Sequence, residues 1–416
     1  MKLSIVIPSR ERGAYLRHSL RTALAIDDPD LEVIVTDNQS TDNTESIVAE
    51  VDDPRLKYVR TEARVSMRQN FENGLRHASG DYIIYFGDDD GILPGQFPFL
   101  RRILETEAPD VLSWSLPTYG WPIEGFGART GTMRYERNRS FGPVTELDTE
   151  ALRGHMLACR QDRMAPMPAL YHGCVSRAYL EGLRGPTGEV FNSGIPDVHI
   201  AYRALLRGGR LMHVRHPFSI NGFSPASTGN AQHAYASTDA RSEPARRFMA
   251  ESDADPVRDV LQLNLSVPLV LFSTLETIRA TFPETATATP DYTAWYRHVL
   301  TSARPSDTAL VARLQELLSA HAARTGTEAQ FAAAEAAAKT SGRAPGGRFT
   351  KLAKRLARLR EKVGSFRISV GIDDENTILT AARTSDRLLG QDYGAVLDGR
   401  MSQRDAWAAL RARAKG

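Results

Sequence analysis

Within the first hundred residues, short apolar runs alternate with stretches of helical periodicity, and nothing else in the chain constrains its fold as tightly. Leu3 to Ile7 is such a run, stopped by Pro8, after which Leu16, Leu20 and Leu24 recur at helical spacing through Tyr15 to Ala25. Leu31 to Thr36 is a second run, followed by the polar turn DNQSTDN and a helix that Asp42 and Glu45 are placed to open as a capping box. Leu56 to Arg60 and Tyr82 to Phe86 read as two further strands, with a helix around Asn70 to Ala78 between them. Strands alternating with helices give an α/β fold with a mostly parallel sheet covered on both faces. Ligands of such sheets sit at the carboxyl ends of the strands, where the loops PSRER, DNQSTDN and GDDDG all fall.

Composition narrows the classes that remain. With 416 residues, one large α/β domain with a smaller appendage is expected. The 52 basic and 50 acidic residues nearly cancel, which argues against a nucleic-acid partner held by excess positive charge. Cys159 and Cys174 are too few for a disulfide framework and lack zinc-site spacing, so a reducing compartment fits. The apolar stretch ahead of Pro8 is too short for a signal sequence, and no later stretch reaches the length of a membrane span. The expected location is cytoplasmic, with peripheral contact at the inner face of the membrane left open.

The loops carry the chemistry. Asp88, Asp89 and Asp90 follow a strand directly, and carboxylates grouped on a tight turn supply hard oxygen ligands suited to Mn²⁺ or Mg²⁺. Such a cation keeps positions for phosphate oxygens and neutralises a departing diphosphate. Asp37, just past a strand end, is placed like the acidic residue that meets a ribose or base, and Arg10 and Arg12 carry the planar fork suited to phosphate or base. Each has a plainer reading: a solvated Asp-Gly turn, an Asx turn at Asp37, a helix cap at Asp42, solvated charges at the arginines. Their joint occurrence, in order, at the strand ends of one sheet favours a site.

The segments LSIVIPSRERGAYLRHSL, EVIVTDNQSTDNT and GDYIIYFGDDDGILPG, at these separations, resemble the nucleotide-sugar-binding half of family 2 glycosyltransferases of the GT-A, Rossmann-like fold. The resemblance covers roughly the first 100 residues. It implies a nucleoside diphosphate sugar donor and a glycan, lipid-linked or other hydroxyl acceptor. By it, Pro8, Ser9, Arg10, Arg12, Asp37, Asn38, Ser40, Arg68, Asn70 and Asp88 are the candidate donor contacts, and Asp89 and Asp90 the metal ligands, with Asp89 favoured. One departure is visible, because many members carry another Asp where this chain has Gly87. The family's general base lies ahead of a downstream helix, in a segment resembling FNSGIPDVHIAYRALLRGGRLMHVRHPFSINGFSPAS, which implies Asp197 as the base of an inverting transfer. The plainer reading of Asp197 is a charge at a helix N-terminus. His199 is the fallback and a weak acceptor candidate, while His213 and His216 lack a supporting motif. Among the aromatics after the aspartates, Trp114 reads as core and Trp121, between Gly120 and Pro122, as the better acceptor contact. SINGFSPASTGN has the composition of a mobile loop. A non-catalytic nucleotide- or glycan-binding scaffold is the alternative of another class. A sugar-1-phosphate nucleotidyltransferase is disfavoured, since PSRER has no glycine until Gly13.

The expected organisation is a transferase domain over 1–238, with a donor half to 100 and an acceptor half from 101, then a helical region over 239–340. A linker follows at 341–348, and a basic amphipathic helix with the C-terminal segment fills 349–416. The helical region contains runs at Val257 to Phe272, Thr308 to Ala323 and Gln330 to Lys339. In FTKLAKRLARLREKV an apolar stripe lies among lysines and arginines, open to an anionic membrane, to docking on its own domain or to self-association. The acidic residues beyond it read as solvated.

Overall fold

The computed structural model describes residues 1–122, 130–224, 250–261, 266–304, 306–340, 364–372 and 375–415. Strand and helix alternate at the start as β1 (Leu3–Ser9), α1 (Gly13–Leu24), β2 (Leu31–Asp37), α2 (Thr44–Ala49), β3 (Leu56–Arg60), α3 (Met67–His77) and β4 (Tyr82–Tyr85). All seven residues of β2 are buried, which is why a continuous apolar run rather than an alternating one encodes it. β5 (Gly91–Ile92), α4 (Phe97–Glu107), β6 (Val111–Trp114), β7 (Thr118–Gly120), β8 (Thr132–Glu136), β9 (Val144–Glu146), α5 (Thr149–Leu157), β10 (Gly173–Ser176), α6 (Arg177–Glu181), α7 (Pro196–Arg207), β11 (Leu211–Val214), β12 (Ser219–Phe223) and β13 (Ser365–Ser369) follow, with further helices before and after β13.

The large sheet has the order β3-β2-β1-β4-β10-β6-β11-β9, and four of its seven pairings are parallel. The chain steps outward from β1 to β2 and β3, then returns to the other side of β1 with β4. That reversal opens a crevice between the carboxyl ends of β1 and β4. A second sheet, β13-β8-β7-β12-β5, stands beside it and receives the residues that follow the aspartates.

Local signals account for the helix starts. Ser66 caps α3 through a reciprocal capping box with Gln69. The box expected at Asp42 and Glu45 does not form. Asp42 accepts from the Thr44 N–H at 3.0 Å with one oxygen and from the Gly13 N–H at 2.9 Å with the other, so it opens α2 and α1 together. The helix expected from Val257 begins instead at Val267, where Ser266 accepts from the Leu269 N–H and Pro268 fits only a first turn. The runs expected near 308 and 330 are the helices Thr308–Thr325 and Glu328–Thr340.

Neither downstream region is a separate core. Leu269, Phe272, Trp295 and Leu314 share one with Val6, Ile34 and Ile83 of the sheet. In the C-terminal segment, β13 pairs with β8, and the helix Ile378–Leu389 buries Ile378, Ala382, Leu388 and Leu389 together with Leu16, Leu20 and Ile92. Nor are its acidic residues all solvated, because Asp386 is taken into this packing and its pKa is pushed up to about 6 by burial. The linker at 341–348, the basic stripe at 349–363 and Asp373 and Asp374 lie outside the described residues.

Candidate active site

The three aspartates leave the end of β4 and take three different environments. Asp90 turns inward. Its Oδ2 accepts from the Gly87 N–H at 2.8 Å and the Tyr171 hydroxyl at 2.5 Å and lies 3.1 Å from His172 Nε2, while Oδ1 accepts from the Gly222 N–H at 2.6 Å. Burial pushes a carboxylate up, but His172 and the hydrogen bonds outweigh it and hold Asp90 below the usual range. Both oxygens are engaged by the protein, so Asp90 anchors the turn. The glycine at 87 has the same origin: a Cβ there would meet the Tyr171 hydroxyl and lie 2.9 Å from Asp90 Oδ2.

Asp88 crosses the crevice to β1, accepting from Ser9 Oγ at 2.8 Å and from Arg12 Nη1 at 3.1 Å. Burial raises its pKa, with Arg12 opposing, and Asp88 and Asp89 in turn hold the Arg12 guanidinium above its ordinary value despite burial. Asp89 accepts from Ser224 Oγ at 2.6 Å, and its carbonyl accepts from Trp121 Nε1 at 2.9 Å. Burial, then the charges of Asp90 and Asp88, push Asp89 up to about 7. Arg12 opposes the rise at Asp89 without cancelling it.

The remaining donor-loop residues reach the crevice but serve different ends. Pro8 and Ser9 close β1, and Arg10 pairs with Glu251. Asp37 is fully buried at the end of β2, accepting from the Tyr58 hydroxyl at 2.7 Å and the Ser40 N–H at 3.0 Å, and it sets the backbone of the following turn. Asn38 bonds both backbone groups of Val65, and Ser40 accepts from the Glu11 N–H. These bonds lock the three loops to one another. Arg68 and Asn70 are not donor contacts in this arrangement. Arg68 is 1% exposed and spends its fork on both oxygens of Asp255, on Glu189 and on the Phe191 carbonyl. Asn70 is buried against Thr36, tying α3 to β2.

On the acceptor side, Phe191, ahead of α7, packs on Phe71 and on Tyr85, the last residue of β4. Asp197, in the first turn of α7, is exposed. His199 is fully buried against Phe282, its pKa pushed down to about 3, and it offers no acceptor contact. Trp121 is buried too; it stands edge-on to Tyr15 at 4.8 Å and clamps the Asp89 carbonyl instead of presenting a face to a sugar. Trp114 is core, as expected. His213 bonds Ser113 and His216 stacks on Tyr393 at 3.7 Å, both removed from the aspartates' partners. The first part of SINGFSPASTGN is β12, and Phe126 and residues 225–230 lie outside the described residues.

Tyr15, Tyr171, His172, Gly222 and Ser224 complete the site without having been foreseen. No motif marks them, because they reach Asp89 and Asp90 from 81 to 135 residues downstream or from the far face of α1. Among the described residues no group of three or more His, Cys, Asp or Glu side chains has metal-holding geometry.

Comparison with known proteins bears on this arrangement. Residues 4–155 match the family model described as Glycosyl transferase family 2. The chain is 36% identical over 104 residues to a GalNAc(5)-diNAcBac-PP-undecaprenol beta-1,3-glucosyltransferase of Campylobacter jejuni, covering 24% of this chain and 34% of that protein. It is 29% identical over 114 residues to the abequosyltransferase RfbV of Salmonella typhimurium, covering 26% and 34%. The chain thus spans about a third of the length of the curated relatives it matches. Among solved structures it is similar to residues 1–349 of S. aureus TarS, at 16% identity and a TM-score of 0.44, over 82% of this chain and 92% of that one.

Proposed function

From the premise that residues 4–155 belong to glycosyl transferase family 2, we propose that the protein transfers a sugar from a nucleoside diphosphate sugar to a hydroxyl acceptor in polysaccharide or glycoconjugate synthesis. The observation that carries this reading is the meeting of Asp88, Asp89 and Arg12 at the crevice, with Asp89 pushed up to about 7 by burial and then by the charges of Asp90 and Asp88. A divalent cation would relieve that repulsion, and hard carboxylate oxygens suit Mn²⁺ or Mg²⁺. Asp89, with Asp88, would hold it, and Asp90 would fix the turn. When bound, the cation supplies positive charge to the departing diphosphate.

The chain's own residues do the rest. Arg12, held by Asp88, presents a guanidinium toward developing phosphate charge. Asp37 shapes the nucleoside loop through Ser40 and Asn38. Asp197, exposed in the first turn of α7, takes the proton from the acceptor hydroxyl as its oxygen attacks the anomeric carbon, and a single base opposite the leaving group inverts that centre. The Campylobacter relative, whose name describes an undecaprenol-linked substrate, supports a lipid-linked glycan as the acceptor class.

The test is thermal stability with UDP, GDP, dTDP and CMP, each with and without Mn²⁺, for the wild type and Asp89→Ala. A ligand that binds only the folded state raises stability by mass action. A Mn²⁺-dependent rise with one nucleotide, absent in Asp89→Ala, is expected. No rise with any of them refutes the reading, and a rise without sugar transfer leaves the scaffold alternative in its place.

A further inference from the structure

The turn that carries the aspartates continues past Asp90 through β5 into the short 3-10 turn Pro94–Gln96 and α4. This continuation rests on a helix far away in sequence. Asp386 Oδ2 accepts from the Gly95 N–H at 2.9 Å, 291 residues apart. Gly95 lies at the start of a helical turn, where an N–H has no intrahelical partner, and Asp386 supplies the missing acceptor. Gln96 donates to the Gly390 carbonyl at 3.0 Å. The approach is close: a Cβ on Gly91 would lie 2.8 Å from Ile378 Cγ1, and a Cβ on Gly95 would lie 2.9 Å from the Asp386 carboxyl carbon.

The other side of the turn leans on the same segment. Asn376 accepts from the Tyr119 hydroxyl at 2.8 Å, Tyr119 packs on Trp121 at 5.6 Å, and Trp121 donates to the Asp89 carbonyl. Gly87 to Gln96 is therefore held at one end by the sheet and at the other by a helix outside the family-matched residues.

We infer that residues 375–390 buttress the donor site and that Asp386 is a positioning residue, setting the orientation of Asp88 and Asp89 through the backbone of Gly95. The inference rests on the transferase reading above. Removing the acceptor leaves the half-buried Gly95 N–H unpaired, which loosens the turn between Asp90 and α4. Because the two carboxylates must converge on one cation, a loosened turn weakens cation binding before it weakens the fold.

The experiment titrates Mn²⁺ against thermal stability, with whichever of UDP, GDP, dTDP or CMP stabilises the wild type. It compares Asp386→Ala, Asp386→Asn and Ser385→Ala. Asparagine keeps an acceptor for Gly95. Ser385→Ala is the structural control, because it removes a more deeply buried hydrogen bond, from the Tyr135 hydroxyl at 2.8 Å, on the same helix without touching the turn. Asp386→Ala is expected to raise the Mn²⁺ midpoint about tenfold, the equivalent of one lost buried acceptor. Asp386→Asn is expected to stay within about twofold, and Ser385→Ala to lower the melting temperature with the midpoint unchanged. Asp386→Ser, too short to reach Gly95, replaces the alanine variant should that one fail to fold. An unchanged midpoint in Asp386→Ala, or an equal shift in Ser385→Ala, overturns the inference while leaving the transferase reading standing. No nucleotide response in the wild type overturns both.

Discussion

Gly222→Ala should damage the site more than any other single added methyl group. Gly222 lies on β12 where it crosses over the aspartate turn, and its N–H donates to Asp90 Oδ1 at 2.6 Å. A Cβ built there overlaps the Asp89 carbonyl oxygen, with the carbonyl carbon 2.7 Å away and Trp121 Nε1 3.0 Å away. Non-bonded carbons settle at about 3.5–4.0 Å, so β12 and the turn must separate by roughly 1 Å. All the neighbouring atoms are backbone or a clamped indole, so no flexible side chain can absorb the shift. Overpacking of this kind costs about 1–3 kcal/mol, and a displacement of about 1 Å at reacting groups costs on the order of 10²-fold in rate. Urea unfolding reads the first term, and the Mn²⁺- and nucleotide-dependent thermal shift with donor turnover reads the second. Gly154→Ala is the control, since nothing lies within 4 Å of its Cβ inside α5, and it should gain about 0.5–1 kcal/mol from helix propensity. Wild-type stability and an unchanged Mn²⁺ response in Gly222→Ala would refute the close approach of β12 to the turn.

Other perturbations separate the roles assigned here. Asp197→Asn should lower turnover by about 10²–10⁴-fold while leaving the nucleotide and Mn²⁺ shift unchanged, and full activity in that variant would remove Asp197 as the base. Arg68→Met should cost about 3–5 kcal/mol in urea unfolding, because it strands Asp255 without its partner; a loss below about 1 kcal/mol would mean the pair is not formed. Asp386 has its pKa raised to about 6 in the folded state, from 3.8, so folding favours its protonated form. Its contribution is present below the ordinary carboxylate range and is lost as pH rises through about 6, by at most about 3 kcal/mol. Asp386→Asn should therefore gain on the wild type between pH 4 and 6 and hold that difference above it; parallel stability curves would show that Asp386 does not titrate in this range.

The β1 to β4 half of the large sheet was legible because its strands are coded by apolar runs, whereas β9, β10 and β11 were not foreseen. β2 carries Val33, Ile34 and Val35 without a break and is buried throughout, and the order of the strand-end loops already placed Ser9, Asp37 and Asp88 along one edge. What stayed hidden were partners. Arg68 and Asn70 sit where donor contacts were expected, yet Asp255 and Thr36 claim them, and nothing local to α3 announces a carboxylate 187 residues away. The C-terminal helix did carry a signal: Ile378, Ala382 and Leu389 form one stripe, and Asp386 stands at its edge. A carboxylate beside an apolar stripe points to a buried acceptor rather than a solvated charge.

The crowding of three carboxylates at one strand end is resolved by unequal treatment. Asp90 is neutralised from within by His172, Tyr171 and two backbone N–H groups, and Asp88 by Arg12 and Ser9. At Asp89 burial and the charges of Asp90 and Asp88 push the pKa up to about 7, and Arg12 and the Ser224 hydroxyl oppose that rise only in part. Were the turn only structural, a neutral side chain at 89 would satisfy Ser224 and relieve the repulsion on both sides. A carboxylate at this position suits a site that a further positive group completes. The proposed reaction supplies one, a divalent cation brought against Asp88 and Asp89 with the diphosphate it neutralises, and Asp89→Asn should therefore be more stable than the wild type without Mn²⁺ and lose the Mn²⁺-dependent gain with it.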